Sequence, residues 1–276
     1  MKKWFAVIGD PIEHSKSPAM HNAWFEGLSI DATYIPVRVS SENLESAVAG
    51  LKTLGASGWN VTIPHKTAII PYLDELDELA EKMGAVNTVV RTKEGTLKGY
   101  NTDGVGFVRS LEEAVGKTHK DKPVLLIGAG GAARGIAFAM QQQGYTNLTI
   151  ANRTVANAKA IVDEMGIGNA ISLAEAEESL ADFGILVQMT SAGLATGNFS
   201  MPFSLEQLAE GAIVADIVYN PLMTPFLKAA EEKGATVVTG LGMFVHQGAI
   251  AFEHWLGEYP NTNSMIAQLK VQLGGY

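Results

Sequence analysis

The run Gly128-Ala129-Gly130-Gly131-Ala132-Ala133 constrains this chain most, because it joins an apolar strand-like run, Val124-Leu125-Leu126-Ile127, to a helix-period segment reaching Gln143. It matches G-x-G-x-x-G/A in its strand–turn–helix context, the turn that opens a βαβ dinucleotide-binding unit. There Gly128 makes the tight bend and Gly130 lets backbone N–H groups approach a pyrophosphate, while Ala133 permits close helix–strand packing. Ala129, Gly131 and Ala132 complete a cradle at a helix end whose dipole favours the anion.

The next strand selects the dinucleotide. A carboxylate about 20 residues beyond the first glycine would hold the ribose 2′-OH of NAD. Leu148-Thr149-Ile150-Ala151 instead runs into Asn152-Arg153-Thr154. Arg153 can bind a 2′-phosphate through charge-assisted hydrogen bonds, with Asn152 and Thr154 as neutral donors and Thr154 as a helix N-cap. The cofactor expected is NADP(H).

Around this unit, short apolar runs alternate with helix-period segments, predicting α/β organisation in two domains. Strands are expected near Trp4–Gly9, Ala32–Val39, Gly58–Ile63, Val86–Arg91 and Leu97–Tyr100, with helices near Pro18–Gly27, Glu42–Leu54 and Asp74–Lys82. The turn Thr92-Lys93-Glu94-Gly95 joins the last two strands as a hairpin, so the first sheet should be mixed. After a helix near Gly104–Val115, residues 116–123 have linker composition, and a Rossmann-like doubly wound series follows. Its strands are expected at Val124–Ile127, Leu148–Ala151, Ile185–Met189, Ile213–Ile217 and Thr236–Val238. Its helices are expected near Ala132–Gln143, Val155–Glu164, Leu205–Ala209 and Pro225–Lys233, before an amphipathic tail of Met243–Trp255 and a last helix to about Leu273.

Composition removes several function classes. Twenty basic against 29 acidic residues, net −9, give a nucleic-acid backbone no broad footprint. The absence of cysteine excludes disulfides, thiolate nucleophiles and Cys-based metal sites. The six histidines form no H-x-x-x-H pair, and no G-x-S-x-G elbow occurs, so neither a metal site nor a serine hydrolase is expected. The apolar stretch Trp4–Ile8 stops at Gly9-Asp10-Pro11, short of a signal sequence, and no apolar run is long enough to span a membrane. A soluble cytoplasmic protein is predicted.

Polar residues gather at two predicted strand ends of the first domain, Asn60-Val61-Thr62-Ile63-Pro64-His65-Lys66 and Asn101-Thr102-Asp103-Gly104. Beside a nicotinamide, ketone reduction needs hydride at carbon and a proton at oxygen. Lys66 can deliver the proton, and a neighbouring carboxylate can orient it. In Ser15-Lys16-Ser17-Pro18, Ser17 reads as N-cap and Pro18 as the first helical residue, and two hydroxyls at a positive helix end suit a carboxylate-bearing substrate.

These segments, with Gly84-Ala85-Val86-Asn87-Thr88, Asp216-Ile217-Val218-Tyr219-Asn220-Pro221 and Gly240-Leu241-Gly242-Met243, occur in one fixed order along essentially the whole chain. In this the chain resembles the shikimate dehydrogenase family. The resemblance implies NADP-dependent, reversible reduction of 3-dehydroshikimate to shikimate, a step toward chorismate and the aromatic amino acids. It implies a substrate domain of residues 1–103 with 240–276 and an NADP domain of 104–239. Ser15 and Ser17 would bind the substrate carboxylate, and Thr62, Asn87, Asp103 and Gln247 the ring hydroxyls. Lys66 would be the general acid/base paired with Asp103. Tyr219 would contact substrate, while Thr190, Ile217, Gly240 and Met243 would lie along the cofactor. Glu78 matches an acidic position of the family assigned to cofactor contact, in a helix that otherwise reads as a solvated acidic face.

Gln188-Met189, before Thr190-Ser191-Ala192-Gly193, departs from the family's usual Asn followed by a small residue. Two alternatives stand beside this reading: a quinate/shikimate dehydrogenase tolerant of NAD, and a non-catalytic NADP-binding regulator. Arg153 argues against the first, and Lys66 with Asp103 against the second. Either a monomer or a homodimer is compatible with the sequence.

Overall fold

The computed structural model describes residues 2–190 and 201–274. Contacts divide the chain into two compact units, Met1–Thr102 with Gln247–Met265, and Asp103–His246 with Ile266–Tyr276.

The first unit contains β1 (Lys3–Gly9), α1 (Ser17–Gly27), β2 (Ala32–Arg38), α2 (Leu44–Thr53), β3 (Gly58–Val61), the short α3 (His65–Ala68), β4 (Glu75–Leu76), α4 (Glu78–Met83), β5 (Thr88–Arg91) and β6 (Leu97–Tyr100). They form one six-stranded sheet of order β2-β1-β3-β5-β6-β4. β1 is parallel to β2 and β3, and only β5 is reversed, antiparallel to both β3 and β6. The hairpin turn closes at Gly95, whose φ of +87° suits glycine. Strand order reverses between β1 and β3, so Gly9 and Thr62 mark a switch point where α/β sheets bind ligands.

Trp59, Val61, Val86, Val89 and Leu97 are buried with Leu44, Val48 and Leu51 of α2 in one core. Elsewhere in the unit the C-terminal segment supplies Phe252 and Trp255. Phe5 lies 5.5 Å from Phe25 and 4.9 Å from Trp255, ring to ring. The Trp255 indole donates to the Val89 carbonyl at 3.0 Å. It occupies the space that a side chain on Gly58 would need.

The helix expected over Asp74–Lys82 is not continuous. Glu75 and Leu76 pair with β6 instead, flanked by Asp74 and Asp77 N–H bonds to the Leu97 and Gly99 carbonyls, both at 2.9 Å. The helix starts only after Asp77, whose carboxylate accepts the Ala80 and Leu79 N–H groups. An unpaired edge on β6 outweighed local helix propensity.

The second unit opens with α5 (Asp103–Val115). It continues through β7 (Val124–Ile127), α6 (Gly131–Gln142), β8 (Leu148–Ala151), α7 (Val155–Met165), β9 (Asn169–Ile171), α8 (Leu173–Glu178), β10 (Ile185–Gln188), β11 (Ile213–Asp216), α9 (Pro225–Glu232) and β12 (Thr236–Val238). The sheet order is β12-β11-β10-β7-β8-β9 with every pair parallel. Counted along the chain this is 3-2-1-4-5-6, the doubly wound dinucleotide-binding order, with its switch point between β7 and β10.

Sequence periodicity missed β9 and α8, although Ser172 and Glu175 form a capping box legible as S-x-x-E. It also predicted a helix at Leu205–Ala209 that does not form. That stretch is turns, and buried Phe203 and Leu205 fasten it to the core.

The chain ends with α10 (Gly240–Leu256) and α11 (Thr262–Gln272). The change of unit falls between His246 and Gln247 inside α10, not at residue 240. Gly242 packs against Ser110 of α5, and Gly240 against the backbone of Ile217 and Val218, which ties the first turns of α10 to the second unit. Helix α5 belongs there as well, because Gly104 lies against the Gly135 backbone and Ala139 of α6. Among the described residues no helix is long and apolar enough to cross a membrane.

Candidate active site

Parallel register in the second unit aligns Ile127, Ala151, Gln188 and Asp216 as the last residues of four neighbouring strands. The ladder continues one step further. Met189 N–H bonds to the Ile127 carbonyl at 2.9 Å, Gly128 N–H to Ala151 at 2.8 Å and Ile217 N–H to Gln188 at 3.1 Å. Gly128, Asn152, Thr190 and Ile217 therefore share one carboxyl edge. Gly128 has φ +113°, and a Cβ there would come within 3.0 Å of Thr190 Cγ2, so the bend is tight on two counts.

This edge fits a dinucleotide. Gly130 is the N-cap of α6 and offers no side chain to cap it, and a Cβ built on Gly130 or Gly131 meets nothing within 4 Å. The helix start thus carries no side-chain cap at Gly130 and is uncrowded at Gly130 and Gly131, which suits the close approach of a pyrophosphate. Ala129 and Ala132 are half-buried beside them. Arg153 is exposed and has no ion-pair partner among the described residues, whereas Arg134 is paired with Glu164. Asn152 donates through Nδ2 to the Thr154 carbonyl at 2.9 Å, and Thr154 is the N-cap of α7, although its hydroxyl caps nothing. Gly240 begins α10, with half-buried Met243 on its first turn. Residues 191–193 lie outside the described residues. Gln188, where the sequence departs from the family pattern, is fully buried and accepts the Thr190 N–H through Oε1 at 3.0 Å.

In the first unit a second polar edge forms because β5 runs in reverse. Asn87, the residue just before β5, sits between the ends of β3 and β6, accepting the Val61 N–H through its carbonyl at 2.8 Å and donating its own N–H to the Tyr100 carbonyl at 3.0 Å. The Asn87 amide donates to Thr102 Oγ1 at 2.9 Å, and its oxygen accepts the Thr102 N–H at 2.9 Å. Thr102 Oγ1 then donates to the Gln247 carbonyl at 3.0 Å. In the other direction Asn60 donates to the Asn87 carbonyl at 3.1 Å and accepts the Tyr34 hydroxyl at 2.6 Å. Burial pushes the Tyr34 hydroxyl well above its ordinary pKa, partly opposed by a hydrogen bond with Ser17. One chain of hydrogen bonds thus joins Ser17, Asn87 and Gln247.

Ser17 is not the N-cap. Lys16 is, and Ser17 and Pro18 are the first two helical residues. Proline suits either early position, and the shift turns Ser17 inward while Ser15 Oγ accepts the Ser17 N–H at 3.3 Å. Asp103 is likewise the first residue of α5. Thr62 is half-buried at the end of β3, its N–H bonded to the Ile8 carbonyl at 3.0 Å. Lys66 sits in α3 with its carbonyl accepting the Val86 N–H at 2.7 Å. Buried His65 anchors that turn by donating from Nε2 to the Val39 carbonyl at 2.6 Å. Tyr219 stacks on Phe244 at 4.7 Å. Glu78 is exposed and paired with Lys82 at 2.7 Å, the solvated face its helix suggested.

Tyr34, Asn60, Thr102 and His65 were not assigned roles from sequence. The available signal was a polar residue inside an apolar run, as in Gly58-Trp59-Asn60-Val61, since such a residue must find partners when buried.

A doubly wound sheet with this edge, joined to a mixed sheet with a polar edge of its own, defines a two-domain dinucleotide-dependent oxidoreductase. Comparison with known proteins narrows that class. The profile described as "Shikimate dehydrogenase substrate binding domain" matches residues 7–89, "Shikimate / quinate 5-dehydrogenase" matches 110–217, and "Shikimate 5'-dehydrogenase C-terminal domain" matches 240–270. The NADP(+) shikimate dehydrogenase of Lysinibacillus sphaericus is 87% identical over 275 residues, covering 100% of both chains. A crystal structure of a shikimate dehydrogenase in complex with NADP+ superposes with a TM-score of 0.90 at 39% identity, covering 99% of this chain and 96% of that one. The Thermus thermophilus enzyme in complex with NADP(H) and shikimate gives 0.88 at 36%, covering 98% and 99%. This chain belongs to the shikimate dehydrogenase family.

Proposed function

We propose that this chain catalyses the reversible NADPH-dependent reduction of 3-dehydroshikimate to shikimate, serving the route to aromatic amino acids. The observation that carries the reading is end-to-end 87% identity with an NADP(+) shikimate dehydrogenase. The strand-edge geometry supports it independently.

When bound, NADPH supplies hydride to the C3 carbonyl carbon of the substrate. The α6 N-terminus and Gly128–Ala132 hold its pyrophosphate. Arg153, with Asn152 and Thr154, holds the 2′-phosphate, and Thr190, Ile217, Gly240 and Met243 line the nicotinamide side. Ser15 and Ser17 receive the substrate carboxylate. Thr62, Asn87, Asp103 and Gln247 hold ring hydroxyls, and Tyr219 contacts the substrate. Lys66 Nζ gives a proton to the C3 oxygen during reduction and takes one back during oxidation, while Asp103 orients the ammonium group. Catalysis on this account is positioning plus proton transfer. The enzyme works in the cytoplasm as a monomer or homodimer, without nucleic acid or membrane.

Lys66→Met tests the assignment. It should lower kcat by roughly 10²- to 10⁴-fold, the range for general acid–base catalysis, and change KM much less. A near-normal kcat would remove Lys66 from the role. Wild-type rates with shikimate and quinate, each with NADP and NAD, should be highest for shikimate with NADP. A higher rate with quinate or with NAD would reassign the substrate or the cofactor.

A further inference from the structure

Asp216 ends β11 inside an apolar run and is only 1% exposed, a place where a carboxylate requires dedicated partners. Its Oδ1 accepts the Val218 N–H at 3.0 Å, and its Oδ2 accepts the Thr224 hydroxyl at 2.8 Å. Thr224, itself fully buried, also accepts the Leu227 N–H at 3.3 Å and so caps α9. The carboxylate therefore fastens both ends of the segment between β11 and α9. Val218 is held from its other side too, because Gly240 N–H donates to its carbonyl at 3.3 Å. Between these fastenings stands Tyr219, its ring against Phe244 and its hydroxyl pushed above the ordinary range by burial. Burial raises Asp216 to about 6, which leaves it ionised at neutral pH and both of its bonds charge-assisted.

We propose that Asp216 is a positioning residue for the reaction: with Thr224 it latches residues 217–224 so that Ile217 and Tyr219 are held in place. The proposal rests on the reading that Tyr219 contacts substrate. An Asn at 216 keeps an oxygen for Val218 and an amide that can donate to Thr224. An Ala keeps neither.

The test compares Asp216→Ala, Asp216→Asn and Tyr219→Phe in steady-state reduction of 3-dehydroshikimate, with adenosine 2′,5′-bisphosphate binding as a second readout. Asp216→Ala should lose roughly 10- to 100-fold in kcat/KM, the scale of a displacement of about an ångström, while bisphosphate affinity stays within about twofold. Asp216→Asn should recover most of the activity. Unchanged kcat/KM in Asp216→Ala, a parallel loss of bisphosphate binding, or no rescue by Asn would overturn the latch. If Asp216→Ala does not fold, Thr224→Val carries the same expectation, and unchanged kcat/KM there overturns it equally. Loss in Asp216→Ala with no change in Tyr219→Phe would leave the latch standing through Ile217 and remove the Tyr219 hydroxyl from the substrate site.

Discussion

Arg153 shows what one residue can reveal. Its proposed role rests on the carboxylate that would reject a 2′-phosphate being missing at the end of β8, and on a guanidinium that is exposed and has no ion-pair partner among the described residues. Arg153→Ala should lose about 1.5–3 kcal/mol of NADP binding, the range for a hydrogen bond to a charged group, and leave NAD binding nearly unchanged. Titration of both cofactors checks this, and equal losses would mean that Arg153 does not read the phosphate. Asn87 was less legible. Its type suggested a ligand contact, yet its amide bonds Thr102 twice, and only the reversed direction of β5 brings those residues side by side.

Among the elements, strands were the most legible, since short apolar runs bounded by Gly and Pro survive any packing. Helices followed less well where tertiary pairing competed, as at Glu75–Leu76, where the open edge of β6 took the segment. The close approach of α5 to α6 was not visible at all. A Cβ on Gly104 would strike the Gly135 carbonyl oxygen and come within 2.8 Å of Ala139 Cβ. Gly104→Ala should therefore destabilise the protein by about 1–3 kcal/mol despite the helix propensity of alanine, the usual range for overpacking. Thermal melting measures it, and an unchanged or raised midpoint would show that the two helices separate freely.

At the scale of the whole molecule, two buried groups, His21 in the first unit and Asp216 in the second, respond to acid with opposite sign. His21 is fully buried in the first unit, stacked 4.4 Å from Tyr34, and desolvation lowers its pKa from 6.5 to about 3. As pH falls below about 6.5 the unfolded chain binds the proton first, so this group withdraws about 1.4 kcal/mol of stability per pH unit until about pH 3. Asp216 in the second unit is raised from 3.8 to about 6 by burial, so there the folded state binds the proton first. Its carboxylate disfavours folding above about pH 6, and that penalty is relieved as pH falls toward 3.8. Mild acid should therefore weaken the first unit through His21. All four tryptophans, at positions 4, 24, 59 and 255, belong to it, so tryptophan fluorescence reports its unfolding. Between pH 7 and pH 5 the urea midpoint by fluorescence should fall, and His21→Phe should flatten the fall. Equal pH slopes in both proteins would acquit His21.

By itself the sequence determined the α/β class, the dinucleotide turn, the choice of NADP and the family, because each depends on residue types at short, local spacing. Tertiary structure alone decided where α10 changes allegiance, that β5 runs backwards, and which buried polar groups meet. Those outcomes depend on pairing between segments far apart in the chain, as when Thr102 finds the Gln247 carbonyl, and no local pattern encodes the partner.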